Sequence, residues 1–233
     1  MIDSEYIVPN SKPVPNKLKD NPLGTPSVSF IVGATGSGKS VTMFNLLIAL
    51  QQLHQFDTGL FVTGNNRDPI LDAIELPITT SPKDLENYIV ELKQSKEGTK
   101  HILVLDDLQG SKDFNMMLGR SNFVNMLLSH RHLGEDSKKP GRDGLWIIIT
   151  SQTLRSSFTP AIRDMVKNWF IYYPRRPAEI KNYEDIAQDP TSMTRAMGLV
   201  KNAGNHSFLF LNKHNAEKDQ YFLGFKTPMR DLD

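Results

Sequence analysis

Apolar residues fall along this chain in two rhythms. Short, nearly unbroken runs occupy residues 27–32, 58–64, 101–108, 145–152 and 169–173. Runs of that length, rich in Val, Ile, Leu and Phe, are what strands buried on both faces of a parallel sheet require. Between them, apolar positions recur every three or four residues over 41–53, 81–96 and 113–133, which predicts helices with one buried face. In the last of these, Phe114, Met117, Leu118, Phe123, Met126, Leu127 and Leu128 supply the apolar positions, with the methionines read as core filler. Ser81 before Pro82 predicts a helix start, Ser81 as N-cap and Pro82 at the first helical position, with Gly98 at the far end. Residues 65–69 read as a turn and 70–76 as a short helix at most, and further helices are predicted over 160–167, 177–188 and 192–202. Alternation over 207–211 and 220–225, around the polar stretch 212–219, predicts a closing hairpin. Strands alternating with helices and ending in a hairpin predict an α/β domain of three layers, with a mostly parallel central sheet and a C-terminal antiparallel hairpin.

The flanks differ in character. Residues 1–26 carry Pro9, Pro13, Pro15, Pro22 and Pro26, a density that prevents regular helix or central strand, so an extended arm is expected. Two readings of it stay open, a loose terminus or an arm laid on a neighbouring subunit or partner. The domain is expected over 27–226, with a polar tail at 227–233. The segment 134–144 is polar, bounded by glycines and without an apolar anchor, so a mobile loop is expected there.

Composition narrows the classes. A length of 233 residues with 39% hydrophobic residues suits one large domain with a sizeable core. With no cysteine, disulfides and thiolate metal sites are excluded, and the six scattered histidines do not suggest a structural zinc. No apolar run approaches the ~20 residues of a membrane span, and the first residues, with Asp3 and Glu5, do not resemble a signal peptide. A net charge of +1 means that any contact with nucleic acid must come from local patches.

The chemistry lies at the ends of the apolar runs. Gly33, Ala34, Thr35, Gly36, Ser37, Gly38, Lys39 and Ser40 follow the first predicted strand and lead, through Val41, into a predicted helix. This is a phosphate loop in the context it requires: glycines let the backbone wrap an anion, and successive N–H groups and the helix N-terminus face the phosphates. Lys39 would reach the β- and γ-phosphates of ATP, and Ser40 would hold Mg²⁺ through its hydroxyl. The run 101–108 ends in Asp106 and Asp107 at the edge where doubly wound sheets bind ligands. In a phosphate-loop protein, Asp106 would hold Mg²⁺ through water, and Asp107 would orient or deprotonate the attacking water; a capping pair after a core strand is the other reading. Gln152, ending the run 145–152, would touch the γ-phosphate or its water, or else serve its own loop.

Other phosphate-loop branches fit less well. Asn212, Lys213, His214 and Asn215 approach the guanine-reading element of GTPases, but Asn215 stands where an acid must pair with the base. The Ser-Gly-Gly signature of ABC ATPases is absent. Arg175 and Arg176, or Lys138, Lys139 and Arg142, could form a kinase lid, yet a kinase needs no acid pair followed by a strand-end glutamine. The ordered set that remains is the phosphate loop, Asp106 and Asp107, Arg131 and His132 closing the next helix, and Gln152, with Ile162, Arg163 and Asp164 soon after. It resembles the viral genome-packaging ATPases of the FtsK/HerA superfamily, of the kind found in poxvirus-like viruses, virophages and membrane-containing icosahedral viruses, over roughly residues 27–173. Many superfamily members carry Glu at the position of Asp107.

The resemblance implies a RecA/FtsK-HerA-like fold, ATP with Mg²⁺, and a homo-oligomeric ring, pentamer or hexamer, hydrolysing ATP between neighbours. It further implies double-stranded DNA as cargo, capsid or vertex proteins as partners, and a place at the virion's packaging vertex and in the host cytoplasm or viral factory. Arg131 is the first candidate for an arginine finger acting on a neighbour, with Arg155 and Arg163 behind it; a cation complementing a helix C-terminus is its plainer role. Lys138, Lys139 and Arg142 are candidates for gripping the DNA backbone, although Glu135, Asp136 and Asp143 dilute them and a merely solvated loop remains open. Two alternatives are a DNA-translocating ATPase of the same superfamily that does not package, such as a conjugation coupling protein, and a nucleotide-binding structural protein of a capsid vertex.

Overall fold

The computed structural model describes residues 23, 25–64, 75–95, 97–108, 111–118, 121–133, 144–154, 160–214, 219–225 and 227–228. The turn expected at 65–69, residues 70–74 of the short helix expected at 70–76, most of the 1–26 arm, the loop 134–143 with Lys138, Lys139 and Arg142, and Arg155 lie outside them. At the end of the expected arm, Leu23 is fully buried against the domain.

A nine-stranded sheet runs in the order β3-β2-β4-β5-β1-β6-β7-β8-β9. Its parallel part comprises β1 (Val28–Val32), β2 (Thr58–Thr63), β3 (Ile78–Thr79), β4 (His101–Asp106), β5 (Leu145–Ser151) and β6 (Val166–Tyr172). Its antiparallel part adds β7 (Phe208–Asn212), β8 (Gln220–Leu223) and β9 (Thr227–Pro228). The strands alternate between two cores, as their period of two demands. Val28, Phe30 and Val32 of β1, Leu103 and Leu105 of β4, and Ile147 and Ile149 of β5 face one core. Ile31, Ile102, Val104, Trp146 and Ile148 face the other.

Helix α1 (Lys39–Gln52) covers the second core through Met43, Phe44, Leu46, Leu47 and Leu50. The first core lies beneath α2 (Pro82–Lys93), α3 (Lys112–Leu118), α4 (Ser121–Ser129), α5 (Pro160–Met165), α6 (Ile180–Glu184) and α7 (Pro190–Asn202). These are the three layers the alternating pattern predicts. Beyond α1, the second core is closed by aromatic rings: Phe170 stacks on Phe210 at 4.8 Å, and Phe208 and Phe225 pack edge to face at 5.1 Å.

Local signals explain several boundaries. The Ser81 hydroxyl accepts from the Asp84 N–H at 3.4 Å, so the predicted cap forms, and α2 stops at Lys93, short of the expected 96. Over 113–133 the chain forms two helices and a 3₁₀ turn (His130–His132), and Leu128 points to solvent. Strand β6 starts at Val166, inside the stretch expected to be helical. The buried Asn168 side chain, which broke the apolar run, donates through Nδ2 to the Ser27 hydroxyl at 3.0 Å, while its Oδ1 has no hydrogen-bond partner. Within the expected tail, Thr227–Pro228 pairs with β8.

Candidate nucleotide-binding site

The strand order sets the site. β1 lies between β5 and β6, and the loop leaving its carboxyl end stands beside the carboxyl ends of both. Its first residue is anchored there: the Gly33 N–H donates to the Ser151 carbonyl at 3.1 Å. A Cβ at Gly33 would stand 2.7 Å from both Ser37 Oγ and Tyr172 Cβ, so only glycine permits this closeness. At the other end, Gly38 has φ 107° and serves as N-cap of α1, a left-handed conformation that costs glycine little. Lys39 and Ser40 therefore form the first turn of α1, two residues ahead of the start expected at Val41.

Lys39 is 8% exposed and donates through Nζ to the Ala34 carbonyl at 3.2 Å, spanning the loop. Burial holds its pKa below the ordinary value; Asp107 and Asp106 oppose that shift and Arg175 adds to it. Both carboxylates thus act electrostatically on the ammonium.

Asp106 ends β4, one strand beyond β5 and so about 10 Å from the entry of the loop. The Thr150 hydroxyl donates to its Oδ1 at 2.6 Å, and the Thr63 hydroxyl lies 3.5 Å from its Oδ2. Asp107 has left the strand with φ 47°, uncommon for a residue other than glycine. Its N–H donates to Thr150 Oγ1 at 3.0 Å, and its Oδ2 accepts from Gln152 Nε2 at 2.7 Å. A single threonine thus fixes both acids, and the strand-end glutamine aims the second. Such hydrogen bonds keep the carboxylates oriented.

Three further side chains hold the loop from outside. The Tyr172 hydroxyl, at the end of β6, donates to the Gly38 carbonyl at 3.0 Å and accepts from Thr42 Oγ1 at 2.6 Å. Burial pushes its pKa up to about 12, against the Thr42 hydrogen bond. Arg175 Nη2 donates to the Thr35 carbonyl at 3.0 Å, and His206 Nδ1 donates to the Ser37 carbonyl at 3.1 Å. A cleft of about 520 Å³ opens beside them, lined by loop residues 34–37 and by Tyr173, Lys201, Asn205 and His206.

The structure brings Lys39, Ser40, Asp106, Asp107 and Gln152 to one edge of the sheet and leaves Arg131 elsewhere. Arg131 is exposed in the 3₁₀ turn after α4, its carbonyl 3.0 Å from a Cβ built on Gly144, the residue that leads into β5. That is the amino edge of the strands. Arg163 sits in the last turn of α5, just ahead of the amino end of β6. The guanine-reading candidates Asn212 and Lys213 also lie away from the loop, since β7 is antiparallel and its end meets the start of β6. Sequence reasoning missed Thr63, Thr150, Tyr172 and His206. The first three ride on strands as ordinary members of apolar runs, and His206 lies in a turn after α7 that carries no motif.

Loop, acid pair and parallel sheet define the architecture of a P-loop NTPase. No protein-family model matches the chain, and no curated protein matches it. Among solved structures it is similar to the genome-packaging NTPase B204 of Sulfolobus turreted icosahedral virus 2 in complex with ATP-gammaS. That likeness has a TM-score of 0.58 at 16% identity, over 87% of this chain and 98% of that one. It is also similar to the pCW3 conjugation coupling protein TcpA, with a TM-score of 0.53 at 16% identity over 88% of this chain and 62% of that one. A third likeness is to the cytoplasmic domain of the type VII secretion ATPase EccC of Thermomonospora curvata, with a TM-score of 0.54 at 14% identity, over 84% of this chain and 25% of that one. What the chain shares with them at these identities is the fold.

Proposed function

We propose that the chain is an ATPase that moves double-stranded DNA and packages a viral genome into a preformed capsid. One observation carries the reading: motifs separated by more than a hundred residues meet at one sheet edge, where buried Lys39 feels both Asp106 and Asp107, and Gln152 donates to Asp107. The loop N–H groups and Lys39 would hold the β- and γ-phosphates. Asp107, aimed by Gln152 and by its own N–H on Thr150, would hold the attacking water in line with the γ-phosphate. Gln152 would register whether that phosphate is present.

The oxygen donors here fit Mg²⁺, a hard ion that keeps several waters and takes one or two carboxylates beside the phosphates. Ser40 and the Thr150-held carboxylate of Asp106 would hold it, and bound there it would neutralise charge developing on the phosphate oxygens. The nucleoside would extend towards the cleft by Tyr173 and His206, on the side of β1 away from the acids.

Arg131, with Arg155 and Arg163 in reserve, would complete a neighbour's site within a ring of five or six subunits at the packaging vertex, a contribution worth about 10³–10⁵ in rate. Lys138, Lys139 and Arg142 would grip the DNA backbone without reading sequence. Support for packaging over coupling or secretion comes from the extent of the match, 98% of the viral NTPase against 62% and 25% of the other two. Among the described residues no helix is long and apolar enough to cross a membrane.

The test is steady-state ATP hydrolysis with and without duplex DNA, with particle size measured beside it. Hydrolysis stimulated by duplex and carried by a ring is expected. Replacing Lys138, Lys139 and Arg142 with alanine should weaken the stimulation and flatten its salt dependence. Nucleotide binding without turnover would point instead to a structural vertex component.

A further inference from the structure

We infer that Arg175, His206 and Tyr172 are positioning residues that preset the phosphate loop for anion binding by holding its carbonyls from outside. The inference rests on the nucleotide-binding reading above. In a planar trans peptide, the carbonyl of one residue and the N–H of the next point in opposite directions. A donor that fixes the Thr35 carbonyl therefore fixes the Gly36 N–H, one on the Ser37 carbonyl fixes the Gly38 N–H, and one on the Gly38 carbonyl fixes the Lys39 N–H. Arg175, His206 and Tyr172 supply those three donors, at 3.0, 3.1 and 3.0 Å.

The loop needs this help because of its composition. Gly36 and Gly38 have φ 77° and 107°, and glycine turns such peptides over at little cost. An unheld loop would spread over many arrangements, few with every N–H facing the anion, and binding would have to order it. The three braces come from segments far away in the chain, with β6 beside the loop and the α7–β7 turn above it. His206 is itself held at φ 66°, a strained setting for a non-glycine residue, and its Nδ1 stands 3.5 Å from the Cβ position of Gly38.

The test titrates the full chain with two probes, magnesium ATPγS and magnesium tripolyphosphate, the second lacking a nucleoside. Arg175→Ala and His206→Ala should each weaken both probes about tenfold, the effect of one lost hydrogen bond that orders a charged site. Their thermal midpoints should stay within about 2 °C of wild type, because both side chains lie at the surface. His206→Asn keeps an N–H donor and tolerates positive φ, and should recover affinity to within about threefold. Before any ligand is added, the Gly36 amide resonance in Arg175→Ala and the Gly38 resonance in His206→Ala should shift or broaden. Unchanged affinity in both alanine variants overturns the inference. So does a loss confined to ATPγS, which would mean contact with the nucleoside, and so does a loss with unmoved glycine resonances, which would mean direct contact with phosphate. Wild-type protein that binds neither probe overturns the nucleotide reading itself.

Discussion

Two residues carry most of the site's electrostatic tension. Lys39 keeps a charge in a place that burial disfavours, and its depressed pKa means that the folded chain holds this proton less readily than the unfolded chain does. At neutral pH that charge is a cost to folding, which phosphate binding would offset in the proposed function. Lys39→Met should therefore melt no lower than wild type while hydrolysis falls by about 10²-fold or more, read from thermal unfolding and phosphate release side by side. Turnover persisting in this variant would remove the loop from the chemistry. Thr150 is the second. One hydroxyl, 2% exposed on its residue, donates to Asp106 and accepts from the Asp107 N–H, so the two acids share a single support. Thr150→Val keeps the shape and removes both bonds. It should lower stability by about 1–3 kcal/mol in urea unfolding and slow single-turnover hydrolysis by about 10–100-fold, a rate effect in the range of other misplaced catalytic groups. Thr150→Ser should recover most of both. A valine variant that turns over normally would mean that Asp107 is aimed by Gln152 alone.

Among the elements, the strands lie close to where the apolar runs put them, and the reason is burial on both faces. Residues such as Ile147, Ile148 and Ile149 leave no alternative phase, so only the ends shift, by three residues at the start of β6 and by two or fewer at β1, β2, β4 and β5. Asp107 and Gln152, read as the ends of their runs, stand just beyond β4 and β5, which frees them for chemistry. The two-residue strands β3 and β9 left no periodic signal to find, and β6 was clipped because Lys167 and Asn168 look polar in a stretch whose partners, Ser27 and Ser29, are also polar. Lys39, Asp106 and Asp107 were legible because their motifs are local. The braces Tyr172, Arg175 and His206 were not, because each depends on which strand lies beside β1. The amino ends of the elements hold a pH response. His101 opens β4 with neither ring nitrogen hydrogen-bonded, and His130 sits in the turn after α4 with Nδ1 on the Leu127 carbonyl at 2.6 Å. Burial lowers both pKa values; Asp57 opposes this at His101, while at His130 the Leu127 carbonyl opposes it and Arg131 and His132 reinforce it. As pH falls below about 6.5 the unfolded chain takes up these protons first. Stability should thus decline from pH 7 to 5.5, by up to about 1.4 kcal/mol per pH unit for each site. His101→Leu should flatten the fall of the urea midpoint; an unchanged slope would mean that His101 titrates alike in both states.

For the whole molecule, the distance between Arg131 and the phosphate loop decides how a finger could work. The arginine lies at the amino edge of β5 and the loop at the carboxyl edge of β1, a strand length of about 20 Å apart. No arginine side chain spans that gap, so a finger at this position must serve another copy. In the proposed ring such contacts would be head to tail: one subunit would present its amino edge to the next subunit's carboxyl edge, and repetition would close the ring where the rotation closes. The consequence is a complementation. Arg131→Ala has an intact loop and no finger, and Lys39→Ala has an intact finger and no loop, so each alone should be inactive. When they are mixed in equal amounts and allowed to exchange, about a quarter of the oriented interfaces pair a sound loop with a sound finger. Hydrolysis should return towards that fraction of the wild-type rate, and a variant carrying both substitutions should restore nothing to either. Should Arg131→Ala alone turn over at the wild-type rate, Arg131 is only the cation at the end of its helix. The finger would then be sought at Arg163, which the same mixing experiment can test in the same way.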